Sequence, residues 1–160
     1  MNIWPSPSPD GTCEVSIEYE LENENVTLYD VVLSIPLPYV HLLSPSPKLD
    51  LILYPSTGSY PTVSSHTGDW ALDPSTHSLA WSIPVVSPSD ESRTGSMIFS
   101  VGGDDAGVFF PVNVTFNGQG SLAGIAVRRA EKTGGGGEGQ GEEVAYSVDA
   151  IVAVEEYLVV

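Results

Sequence analysis

An all-β fold, an antiparallel β-sandwich, follows from three features of the 160-residue sequence. Wherever an apolar period is readable it lies near two, which puts successive side chains on opposite faces of a strand. The apolar residues, 41% of the chain, lean on Val, Ile, Leu, Tyr and Trp, which suit a pleated and half-buried surface. Sixteen glycines and thirteen prolines interrupt them at short intervals, so turns are frequent and no window sustains a helical period. This much apolar material in a chain of this length fits one domain with a real core.

The elements follow in chain order. Residues 3–11 (IWPSPSPDG) carry prolines that remove donors and fix φ, so residues 1–11 are expected as an entry linker. CEVSIEYEL places Cys13, Val15, Ile17, Tyr19 and Leu21 on one face and Glu14, Ser16, Glu18 and Glu20 on the other, a half-buried strand. After the polar turn at 22–25, VTLYDVVLSIP is more uniformly apolar and therefore central. It is expected to pair with the preceding strand as a hairpin. LDLILY (49–54) reads as a strand inside a long Pro/Ser-rich excursion.

DWAL and LAWSI flank the turn-forming DPSTHS and predict a second hairpin, in which Trp81 alternates with Leu79 and Ile83 and belongs to the core. GSMIFSV (95–101) and VFFPVNVTF (108–116) predict a third antiparallel pair around the GGDDAG turn, with Phe110, Val112, Val114 and Phe116 on one face. LAGIAVRRA (122–130) is expected as a further strand and 131–143 as a flexible Gly/Glu loop. YSVDAIVAVEEYLVV supplies one or two last strands.

Charge narrows the partners. Five Lys and Arg against 21 Asp and Glu give a formal net charge of −16, which disfavours phosphate backbones and anionic lipid. Nucleic acid is therefore excluded as an expected partner, and membrane contact is expected only indirectly, through other chains. The single Cys13 permits no internal disulfide and suits a reducing compartment. The start of the chain has neither the basic nor the apolar region of a secretory signal, and no run approaches the ~20 apolar residues that span a bilayer. In a cytosolic protein the sequons at Asn25 and Asn113 are chance matches. An extracellular or lumenal Ig-like binding domain that uses both is the alternative reading.

Chemistry has little purchase on this sequence. His41, His66 and His77 lack metal-ligand spacing, and the adjacent Asp104 and Asp105 lack a calcium-binding ladder. No nucleophile-elbow pattern occurs, and GGGGEGQG has no following Lys-Ser/Thr to cradle a phosphate. No catalytic residue, cofactor or metal is expected. The candidates for binding are Trp70, beside a turn, and Arg128, Arg129 and Lys132, three of the five cations in the chain. Such a cluster on an acidic surface suits a peptide whose acidic residues flank a hydrophobic anchor.

The strings NIWPS, EVSIEYEL, DVVLSIPLP, LAWSIPVV, TGSMIFS, FFPVNVTF and VDAIVAVEEYLVV, in that order, resemble the mu-homology domain. IEYEL, FFPV and EYLVV point within it to the delta subunits of the COPI vesicle coat, coatomer. The resemblance implies two β-sandwich subdomains, one inserted in the other: residues 12–130 as an Ig-like inserted subdomain, and 144–160 as strands returning to the first. It implies a non-catalytic interaction module on Golgi membranes and COPI vesicles, acting in retrograde Golgi-to-ER and intra-Golgi transport. Its implied partners are the other coatomer subunits and the tryptophan-based motifs of an ER tethering complex and an Arf GTPase-activating protein. The excursion at 41–68 and the GGGGEGQGEE insertion depart from the family pattern.

Overall fold

The computed structural model describes residues 1–38, 60–132 and 144–160. Nine strands form two antiparallel sheets, and the only helical turns among the described residues are two short 3-10 segments. The strands are β1 (Asn2–Pro7), β2 (Thr12–Glu20), β3 (Val26–Pro36), β4 (Thr62–His66), β5 (Asp69–Asp73), β6 (Ser78–Val86), β7 (Thr94–Gly102), β8 (Val112–Gly120) and β9 (Ile151–Val159). One sheet runs β1-β2-β7-β4 and the other β5-β6-β3-β8-β9, so β3 is central, as its apolar run predicts.

Period-two alternation builds the core directly. Cys13, Val15 and Ile17 of β2 and Met97, Phe99 and Val101 of β7 are buried on the inner face of the first sheet. Leu33, Ile35, Leu79, Trp81, Ile83, Val112 and Val114 supply the inner face of the second. The β5–β6 hairpin forms as expected, with Trp70 opposite Trp81 and Leu72 opposite Leu79. Its turn is held by Asp73, whose Oδ1 accepts from the backbone N–H of Ser75 at 2.8 Å and from its hydroxyl at 2.6 Å.

Those bonds hold the Asp73 carboxyl below the ordinary aspartate value, chiefly through the Ser75 hydroxyl. A depressed pKa contributes stability that is present above the unfolded value and lost as pH falls through the folded one. The melting-temperature difference between the native chain and Asp73→Ala is expected to be constant near neutral pH and to shrink below about pH 4. Thermal melts across that range check it, and a difference that persists in acid would assign it to something other than the carboxylate.

Several sequence expectations are corrected. Residues 2–7 are not linker but β1, paired with β2 from Asn2 opposite Glu18 to Pro7 opposite Cys13. Pro5 and Pro7 are tolerated because β1 is an edge strand, one flank of which pairs with no described residue. β2 and β3 do not pair. β2 joins β1 and β7, β3 joins β6 and β8, and the 22–25 turn crosses from one sheet to the other. β7 and β8 likewise lie in opposite sheets. Alternation records which face of a strand is buried, not which neighbour it bonds.

The connection between β7 and β8 contains a 3-10 turn, Ala106–Phe109, which extends the expected 102–107 turn over Val108 and Phe109, where strand was expected. Asp105 caps it by accepting from the Gly107 N–H at 2.8 Å, and the turn drops Phe109 into the core beside Phe99, ring centroids 6.2 Å apart. Residues 122–130 form no strand: β8 is already flanked by β3 and β9, and Leu122, Ile125 and Val127 remain exposed. The closing segment, expected as strands that return to a first subdomain, supplies β9, which pairs with β8. The expected strand at 49–54 and loop residues 133–143 lie outside the described residues.

Candidate peptide-binding surfaces

Trp70 sits on β5, at one end of the five-stranded sheet, whose far edge pairs with no strand among the described residues. Trp81, one strand inward, is enclosed, whereas Trp70 remains 37% exposed. The Trp81 indole N–H donates to the carbonyl of Thr67, and its ring meets Tyr19 across the core at a centroid distance of 5.7 Å. Burial pushes the Tyr19 phenol above its usual pKa. Trp81 is thus core and Trp70 a half-exposed aromatic beside unpaired backbone, a combination open to an added strand.

Arg128, Arg129 and Lys132 lie on the irregular segment that follows β8. Arg129 Nε is 2.6 Å from Glu131 Oε1, a solvent-facing pair of small energetic weight. Among the described residues Arg128 and Lys132 make no ion pair. The hydroxyl of Tyr146 donates to the Val127 carbonyl at 2.6 Å and the Val144 N–H to the Ala130 carbonyl at 3.0 Å, tying the segment to the stretch before β9. The segment starts at the end of β8, three strands from β5 and so about 14 Å at ordinary strand spacing. The sheet therefore separates Trp70 from the point where the cation-bearing segment begins.

The structure adds a site that the sequence did not disclose. At one end of the sandwich the sheets part over an apolar recess of about 150 Å³, lined among others by Tyr19, Leu21, Leu28, Val114, Phe116 and Tyr157. A cavity of about 150 Å³ lined by apolar side chains is large enough to take an aromatic ring. Leu28 and Phe116 read as ordinary strand residues, and only the packing of β2, β3, β8 and β9 brings them to one recess. Asn23 Nδ2 donates to the Leu122 carbonyl at 3.1 Å, so the cation-bearing segment leaves from the same end of the sandwich. A smaller cleft of about 80 Å³ lies between Leu37, Tyr60, Leu72 and His77.

Other sequence candidates take structural roles. No group of three or more His, Cys, Asp or Glu capable of holding a metal occurs among the described residues, and His41 lies outside them. No described helix is long and apolar enough to cross a membrane. Asn25 is exposed, and Asn113 lies half-buried in β8 with its Oδ1 enclosed.

The sequence matches the profile of the adaptor complexes medium subunit family over residues 1–155. It is 30% identical over 159 residues to a probable coatomer subunit delta of Caenorhabditis elegans, covering 99% of this chain and 26% of that protein. It is 34% identical over 137 residues to the coatomer subunit delta of Arabidopsis thaliana, covering 86% of this chain and 22% of that protein. The chain thus spans about a quarter of these relatives' length. Among solved structures, a yeast delta-COP-I mu-homology domain complexed with a Dsl1 WxWxV peptide aligns with a TM-score of 0.46 at 20% identity, covering 72% of this chain and 38% of that one.

Proposed function

The chain belongs to the adaptor complexes medium subunit family, and on that footing we propose that it is a non-catalytic peptide-interaction module of the COPI coat. Its likeness to coatomer delta subunits along nearly the whole chain supports a place among the other coatomer subunits, cytoplasmic and peripheral on Golgi membranes and COPI vesicles. The role would be retrograde Golgi-to-ER and intra-Golgi transport, through tryptophan-based motifs of an ER tethering complex and an Arf GTPase-activating protein. The net charge of −16 favours membrane contact only through the assembled coat.

The observation that carries the reading is the aromatic-sized apolar recess, at the end of the sandwich from which the cationic segment departs. An indole seated there would be the anchor, and Arg128, Arg129 and Lys132 would steer acidic flanking residues against the repulsion of the remaining surface. Trp70 and the edge of β5 left open among the described residues offer a second place for an extended segment. The division into an inserted subdomain (12–130) and returning strands (144–160) is part of this proposal. Exposed Val148, Ile151 and Val160, beside the edge of β9 that no described strand pairs, present the apolar surface that the rest of such a domain would cover.

Calorimetry with an acidic tryptophan peptide tests it. Tyr157→Ala, at the exposed rim, is expected to weaken binding about tenfold by removing an aromatic contact. Arg128→Glu with Arg129→Glu is expected to weaken it further at low salt and to flatten its salt dependence. Unchanged affinity in both variants would remove the recess and the cations from the mechanism.

A further inference from the structure

Among the described residues nothing packs over the outer face of the four-stranded sheet, which is chemically unlike the peptide site. Its register sets Trp4 opposite Ser16 and Ser16 opposite Ile98, so the three form one row across β1, β2 and β7. Trp4 is 47% exposed, although it lies within a paired strand. The residues above and below the row are short: Asn2, Ser6, Ser96 and Ser100. Trp4 and Ile98 therefore stand as two apolar ridges with the small Ser16 between them. Along β2, Glu14 and Glu18 lie on either side of Ser16, each about 7 Å away at the normal rise of a strand.

Among the described residues no Lys or Arg stands on this face. β1, β2, β4 and β7 contain no Lys or Arg, and Arg93, at the margin, lies 3.9 Å from Glu20. Among the described residues Glu14 and Glu18 have no ion-pair partner. The gap between the ridges accepts a long aliphatic stem, the indole face attracts a cation, and the two carboxylates receive its donors. Anionic lipid and nucleic acid are repelled by the same charges, and a second copy of this acidic chain has few cations to offer.

We infer that this face docks an extended basic segment of a partner protein, with an arginine lying between Trp4 and Ile98 and its guanidinium shared by Glu14 and Glu18. Arginine fits better than lysine because its planar head stacks on an indole while it forks to carboxylates. The site is separate from the recess and from the acidic peptides proposed there, and it stands or falls independently of them.

The test is calorimetric titration of the 160-residue chain with a short arginine-rich peptide, its lysine counterpart and a glutamine counterpart. The arginine peptide is expected to bind more tightly than the lysine one, and the glutamine one not at all. Glu14→Gln with Glu18→Gln is expected to weaken arginine-peptide binding about fivefold or more, and Trp4→Ala a few fold. Glu155→Gln with Glu156→Gln on β9 removes the same charge elsewhere and is expected to change little. Far-UV circular dichroism confirms that each variant is folded. Equal losses in the two double variants, or no effect of Trp4→Ala in a folded protein, would reduce the binding to bulk charge and overturn the proposal.

Discussion

Trp81→Ala is expected to cost about 3–5 kcal/mol, the range for deleting a buried large aromatic. The Trp81 ring is fully enclosed, it meets Tyr19 from the facing sheet, and its N–H satisfies the Thr67 carbonyl. The change removes core volume and leaves that carbonyl without its donor in one step. For a domain of this size such a loss lowers the melting temperature by roughly 6–20 °C. Trp4→Ala, on an exposed edge strand, is expected to fall within about 0.5 kcal/mol of the native chain. Urea unfolding of the two variants measures the contrast, and equal stabilities would contradict the inward placement of Trp81.

Gly120→Ala is expected to be nearly as damaging, for a backbone reason. Gly120 closes β8 with φ +117°, and a Cβ there would stand 2.0 Å from the Asn25 carbonyl oxygen. The obstacle is main chain of β3's entry turn, paired through Val26 to Gly120 itself, so it cannot swing aside as a side chain does. Left-handed strain and a forced backbone shift together are expected to cost about 2–5 kcal/mol. Gly11 separates the two contributions, since it also has positive φ (+81°) but a Cβ there meets nothing within 4 Å. Gly11→Ala is expected to carry the conformational cost alone. Chemical denaturation of both variants decides it, and an equal loss at the two positions would show that close approach at Gly120 contributes nothing.

The positions of most strands were legible because their inner residues alternate: Cys13, Val15 and Ile17, or Leu79, Trp81 and Ile83, name their buried face without reference to neighbours. Partnership was not legible. β2 and β3 look like a hairpin and β7 and β8 look like another, yet each pair divides between sheets, because a strand buried on one face packs equally well beside or across from the next. The prolines of β1 misled in the same way, since their meaning depends on whether a strand is an edge. Residues 122–130 misled in the opposite sense: apolar content made a strand plausible where no flank of β8 was left to receive one.

The candidate site was legible in part. Trp70 and the cations stand out by residue type, but the sheet order sets Trp70 at the opposite edge from the strand pair that the cation-bearing segment joins. The recess had no sequence signal, because Leu28, Phe116 and Tyr157 are typical strand residues that only the tertiary arrangement brings together with Tyr19 and Leu21 of the other sheet.

The most direct measurement is backbone amide NMR of the 160-residue chain during titration with an acidic tryptophan peptide. An anchor in the recess predicts saturable shifts centred on Leu21, Leu28, Phe116 and Tyr157, with smaller ones at Arg128 and Arg129, and an unchanged outer face at Ser16 and Ile98. Saturable shifts confined to other surfaces, with those recess residues silent, would contradict the recess as the binding site. The absence of any shift at concentrations that saturate a coatomer delta subunit would contradict peptide binding by this chain.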